Sequence, residues 1–269
     1  MSKGSARPRD VVPVKPRHRD AWGAILGQSP NRAKPSGAAA LPSWALGTDH
    51  VRTWQPAVKS LAFVANSDAD LRDFPEVARR RVGYQLHLVQ GGQEPSDWRP
   101  TVTLAPDCRQ IEVQHSGDAY RVTYVASSGN TVYVLHASQK QSQQAGEFDL
   151  EINERYEQMS ALIQARETGG ALMTATRYAS VWDALEDGPG TVEDLKIRAA
   201  LMQDLAARIT SSGTTPSYSA EQFGVTQGRI SDLMTGRIDV FSIDTLVTML
   251  ATAGLHLDLH VHVHVHEAS

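Results

Sequence analysis

Cys108 is the sole cysteine in 269 residues, so neither a disulfide framework nor a four-thiolate zinc site can be built within the chain. No apolar run approaches the roughly 20 residues that a bilayer-spanning helix requires. The N-terminus is charged but carries no apolar core of the kind that directs secretion. These absences exclude a disulfide scaffold and a helical membrane span, and they make a soluble, cytoplasmic protein the expectation. An excess of positive charge is missing as well, since the formal net charge is −4.

That small net charge hides an asymmetry. Residues 1–50 hold 8 Lys and Arg against 3 Asp and Glu, and residues 51–145 hold 10 against 9. Residues 146–179 hold 3 against 6, and residues 180–269 hold 5 against 12. A basic head and an acidic tail suit two halves that attract each other, or a head that touches nucleic acid. The hydrophobic share, 41%, is enough for packed cores, and the length suits one large domain or two small ones.

Residues 1–50 read as a disordered, basic, Pro-rich leader, because RPRDVVPVKPRHR and SPNRAKPSGAAALPS cannot bury enough apolar surface to offset ordering. From 57 the pattern changes. AVKSLAFVAN reads as a strand, DADLRDF as a capped helix, and PEVARRRVGYQLHLVQ as a longer helix closed by Gly91-Gly92. IEVQHS, AYRVTYVAS and TVYVLHAS then read as an antiparallel meander, with SSGN as a hairpin turn. A helix is expected near EFDLEINERYEQM. The expected fold of 51–157 is thus α+β, two helices packed on a small antiparallel sheet. Residues 158–179 read as a linker with some helix.

Residues 180–269 read as an all-α domain, its helices punctuated by glycines 213, 224, 236 and 254. SAEQFGVTQGRISDLMTGR has helix-turn-helix spacing: a short helix ends at Phe223-Gly224, Thr226 caps the next, and Ile230 and Leu233 face inward. This sets Thr226, Gln227, Gly228, Arg229 and Ser231 at the front of a helix that can enter a DNA major groove, with Arg237 behind them. Gln and Arg carry donors for base edges, while Thr and Ser can hold phosphates. VWDALED, LKIRAALM and GVTQGRISDLMTGRIDVFSIDTLVTMLATAGL resemble the HigA-type (Xre/Cro-like) antitoxins over residues 180–263. The resemblance implies operator DNA as a partner. Two departures are Gly228, where the family usually has Pro, and Thr235, where it usually has Arg.

WRPTVTLAPDCRQIEVQHSGDAYRVTYVASSGNTVYVLHASQKQSQQ, with DLRDFPEVARRRVGYQLHLVQGG before it, resembles the RelE/HigB-type toxins of the phage-derived branch. The resemblance implies a metal-independent endoribonuclease that cuts messenger RNA on the ribosome. A ribose 2′-hydroxyl attacks the adjacent phosphate, so such a site must neutralise phosphorane charge and move protons. Arg121 matches the family's strand arginine. Lys140 and His136 are candidates for proton transfer, and Tyr120 for base stacking or core packing. Arg79, Arg80, Arg81 and Arg99 are candidates for gripping RNA or the ribosome, or for a solvated surface. The chain departs from the family's Phe-Gln-Lys-Lys at Ser138-Gln139-Lys140-Gln141, and TVTLA lacks the usual lysine.

The C-terminal LHLDLHVHVHVHEAS places His256, His260, His262, His264 and His266 at even positions and aliphatic residues between them. In a strand they share one face. The reading is the outer face of a terminal strand that can pair two copies into a homodimer, not a metal centre, and no cofactor is expected. The two resemblances, in this order, imply a toxin fused to an antitoxin whose acidic helices screen Arg121 and the basic strands. The rival reading is a catalytically degenerate domain kept as a sensor or dimerisation module of a transcriptional repressor.

Overall fold

The computed structural model describes residues 58–100, 107–126, 129–139, 145–167 and 175–257. The expectations placed on the leader, on Lys140 and on His260 to His266 lie outside the described residues.

Strand β1 (Ser60–Phe63) is followed by helices α1 (Ser67–Arg72) and α2 (Glu76–Gln90). Pro75 precedes α2, where its missing N–H removes no helical hydrogen bond. Strands β2 (Trp98–Pro100), β3 (Cys108–His115), β4 (Asp118–Val125) and β5 (Thr131–Gln139) come next, then helix α3 (Ala145–Glu167) and strand β6 (Thr176–Tyr178). The strands form one sheet in the order β2-β3-β4-β5-β1-β6, with β1 parallel to β5 and the other pairs antiparallel. The α+β expectation holds, and the sheet exceeds the meander legible in sequence. Leu61 to Val64 are buried throughout, as suits a strand with neighbours on both sides.

The stretch read as linker contains the end of α3 and all of β6. Three residues are too few to show a strand's period in sequence. Pairing with Leu61 to Phe63 covers the β1 edge, and the Tyr178 ring meets Phe63 edge-on at 5.9 Å between centroids.

A bulge in β5 orders the sheet's chemistry. Thr123 lies opposite His136 while Tyr124 lies opposite Val134, so Leu135 is the extra residue. Leu135 packs with Ile152 and Met159 of α3, and His136 also reaches α3, its Nδ1 3.6 Å from Glu151. On the other face Tyr120 packs on Phe74, 5.0 Å between ring centroids.

The second half begins with α4 (Val181–Leu185), α5 (Pro189–Ser212), α6 (Pro216–Gln222) and α7 (Gln227–Met234). A single 3-10 turn at Ile238–Val240 and helix α8 (Ile243–Thr252) follow. Ser180, Thr215, Thr226 and Ser242 cap four of the helices, each side chain accepting a backbone N–H two or three residues on. Gly213 ends α5 in the left-handed region. Leu195, Met202, Leu205, Ile230, Leu233, Phe241, Leu246 and Met249 are all buried.

Helix α2 lies between the two halves and is buried nearly all round. Val82 and Leu86 are fully buried, and so are Gly83, Tyr84 and Gln85 in the next-door positions. A helix with one wet face would show a single apolar stripe. This one has a second covered stripe because residues 181–239 pack on it.

Candidate functional site

The strand face beneath and beyond α3 carries a row of polar side chains. Arg121 stands opposite Glu112 on β3 and Ser138 on β5, and the next rung holds Gln110, Thr123 and His136. Arg121 and His136 are therefore on one face, about 7 Å apart along the strands. Arg121 Nε donates to Glu112 Oε2 at 2.9 Å, and Arg99 Nη2 lies 3.5 Å from the same carboxylate. The trio of Arg99, Glu112 and Arg121 carries one net positive charge.

His136 is buried beside Glu151, which pairs with Arg155, and Arg155 also reaches Asp70 at 3.2 Å. Burial draws the imidazole below its ordinary range, outweighing the Glu151 carboxylate, which acts the other way. A neutral imidazole one rung from a guanidinium can accept a proton near an anion. Tyr120 is not part of this arrangement. Strand alternation turns it to the opposite face, where it is buried against Phe74. Its place is the core.

The arginines of α2 meet carboxylates of the second half. Arg81 donates from Nε and Nη2 to Asp239 at 2.6 and 2.8 Å, and from Nη1 to the Gln114 carbonyl. Arg80 Nε donates to Glu186 at 3.2 Å, and Arg79 Nη2 lies 3.6 Å from the same carboxylate. Arg72 donates to the Ala184 carbonyl and to Asp187. The acidic helical half thus engages α1 and α2, whereas Arg121 takes its carboxylate from its own sheet.

Glycines set the closeness of this contact. A Cβ on Gly83 would lie 2.7 Å from the fully buried Trp182 ring. One on Gly236 would lie 2.5 Å from both Tyr84 and Gln85, at a φ of +73° that other residues avoid. Gln85 Nε2 donates to the Thr235 carbonyl, and Gln85 Oε1 accepts from Ser96 N–H at 2.7 Å.

Helix α7 is capped at its front and buries one side. Thr226 accepts the Arg229 N–H, Ile230 and Leu233 face the core, and Thr226, Gln227, Gly228 and Ser231 are exposed in one patch. The two arginines are less open. Arg229 donates to the Val240 carbonyl at 2.8 Å and lies over the Phe241 ring, and Arg237 donates to Asp232 at 2.8 Å.

Residues 69–157 match the family model described as Phage derived protein Gp49-like, and residues 184–262 match one described as Helix-turn-helix domain. The chain joins a Gp49-like domain to a helix-turn-helix domain. That order is the layout of a toxin followed by its antitoxin. Comparison with curated proteins gave no match. Within the Gp49-like domain the polar row centred on Arg121 and the arginine run of α2 are separate places. In the helix-turn-helix half, the exposed front of α7 looks away from the core residues Ile230 and Leu233.

Sequence reasoning missed Glu112, Glu186, Asp239, Trp182 and Gln85. Glu112 had a local signal, a carboxylate between Ile111 and Val113 in a strand. The others act across roughly a hundred residues or more, and no local pattern announces that. Among the described residues no helix is long and apolar enough to cross a membrane, and no group of three or more His, Cys, Asp or Glu is placed to hold a metal ion.

Proposed function

We propose that the chain is a single-chain toxin–antitoxin protein, with an mRNA-cutting Gp49-like domain restrained by its own DNA-binding half. The observation that carries the reading is the occupation of Arg79, Arg80 and Arg81 by Glu186 and Asp239. These three consecutive arginines form the densest cationic run in the described Gp49-like domain, and phosphate neutralisation supplies most of the affinity for RNA and ribosomes. Restraint then acts on substrate capture, and the chemical face around Arg121 needs no cover.

In the reaction, His136 accepts the 2′-hydroxyl proton, the 2′-oxygen attacks phosphorus, and the bond to the 5′-oxygen breaks. The products are a 2′,3′-cyclic phosphate and a 5′-hydroxyl. Arg121, with Arg99 beside it, stabilises the phosphorane, and Lys140 protonates the departing oxygen. The front of α7 reads operator DNA for autoregulation. Two copies joined through the C-terminal half suit a palindromic site.

One observation favours a second reading. Glu112 within 2.9 Å of Arg121 offsets the charge a phosphorane needs, which suits a degenerate domain serving a repressor as sensor or dimerisation module. Induction of three full-length proteins separates the two: wild type, Glu186→Ala/Asp239→Ala, and that pair with Arg121→Ala. The toxin reading expects translation to stop and messenger RNA to be cut only with the second. Unimpaired translation with a folded second protein sinks it in favour of the repressor.

A further inference from the structure

We infer that helix α2 of the Gp49-like domain is a positioning element for the DNA-reading helix, through Arg81 and Gln85. The inference rests on α7 reading DNA, as proposed above. Helix α7 ends at Met234, and the last carbonyls of a helix have no partner within it. One of them, that of Thr235, receives its side-chain hydrogen bond from Gln85 of the other domain, at 3.3 Å. Gln85 is itself fixed, since Oε1 accepts the Ser96 N–H. Gly236 follows in a left-handed turn seated on the Tyr84 ring, so the end of α7 cannot swing toward α2.

Three residues on, Arg81 grips both oxygens of Asp239. The next carbonyl, that of Val240, holds the Arg229 guanidinium, and Phe241 lies beneath it. Arg198 of α5 fixes the same loop by donating to the carbonyls of Ile238 and Phe241. The loop 236–241 is therefore tied to α2 on one side and to the front of α7 on the other. Arg81 touches Asp239, and one peptide later the chain touches Arg229. Neither Arg81 nor Gln85 lies on the exposed patch of Thr226, Gln227 and Ser231, so their effect on DNA is through placement and not contact. A preorganised reader binds more tightly because less ordering is left to the moment of binding.

By linkage, a partner that draws α2 away weakens DNA reading, and bound DNA holds α2 in place to the same degree. The repression state of an operator would then report whether the Gp49-like domain is docked.

The test uses full-length chains and a duplex selected from a random pool by the wild type. Gln85→Glu keeps the acceptor for Ser96 but presents oxygen to the Thr235 carbonyl. Arg81→Asp removes the grip on Asp239, and Arg81→Asp with Asp239→Arg restores it in reverse. Two readouts are taken: amide exchange of residues 230–237 without DNA, and affinity for the duplex as a function of salt. The inference expects each single variant to speed exchange there and to weaken binding about fivefold or more, with the salt slope unchanged and the reversed pair recovering both. Exchange and affinity equal to wild type in the single variants, or a reversed pair no better than Arg81→Asp, overturns it while leaving DNA reading intact. If the wild type retains no duplex, the DNA-binding reading and this inference fall together.

Discussion

Arg81 and Asp239, 158 positions apart in the chain, share two hydrogen bonds of 2.6 and 2.8 Å, with side chains only 12% and 14% exposed. This pair joins helix α2 of the Gp49-like domain to the loop behind helix α7 of the helix-turn-helix half. It also occupies two of the three guanidinium nitrogens of Arg81, the third donating to the Gln114 carbonyl.

Asp239→Ala should destabilise the chain by about 2–3 kcal/mol, because it strands a mostly buried guanidinium. Urea melts read this directly. Arg81→Ala should cost a similar amount, and the double variant clearly less than the sum. Strict additivity would mean that the pair does not couple the halves.

Two glycines should behave in opposite ways. Gly236→Ala forces a side chain into Tyr84 and Gln85 at positive φ, and about 3 kcal/mol is expected. Gly228→Ala meets nothing nearer than Thr226 Oγ1 at 3.8 Å within a helix, and should be neutral or stabilise by up to about 1 kcal/mol. Thermal midpoints of the two variants check the contrast.

Trp182→Ala should cost about 3–5 kcal/mol, the range for emptying a buried indole site. Because Trp182 fills the notch at Gly83, the loss should appear first as faster amide exchange along α2, before global unfolding. Uniform exchange across the chain would contradict that order.

Acid should weaken the fold below the ordinary histidine range. Burial lowers the pKa of His87, against a smaller opposite effect of its hydrogen bond with Gln203, and burial likewise lowers that of His136. The folded chain therefore binds fewer protons than the unfolded one once pH drops below 6.5, the unperturbed value. Stability is full above that pH and declines as pH falls toward the depressed folded values. Asp239 adds to this at lower pH. Burial raises its pKa, but the Arg81 hydrogen bonds and charge prevail and leave it lowered, so its contribution goes as it protonates. Urea midpoints at pH 7.5 and 5.5 test the slope, and His87→Gln should flatten it.

Much of this was legible in the chain itself. The helix-turn-helix showed because Phe223-Gly224, Thr226, Ile230 and Leu233 are local, and caps and core positions follow from short-range spacing. The meander showed because strands of eight or nine residues display alternation. Arg121 could be named from the resemblance, as the family's strand arginine, and His136 as a proton-transfer candidate on the following strand. Their neighbours on the same face needed the register, and the bulge at Leu135 that turns His136 toward α3 has no sequence mark. The arginines of α2 invited a solvent- or RNA-facing reading because Glu186 and Asp239 lie more than a hundred residues away. Strand β6 and the Trp182 notch stayed hidden because three paired residues and one glycine carry no periodicity.

Co-sedimentation with bacterial ribosomes tests most directly whether Glu186 and Asp239 keep the α2 arginines from ribosomal RNA. The full-length wild type should stay in the supernatant. Glu186→Ala/Asp239→Ala should pellet with ribosomes, and Arg79→Ala/Arg80→Ala/Arg81→Ala added to that protein should return it to the supernatant. Wild-type protein that pellets as well as the released variant would contradict the account.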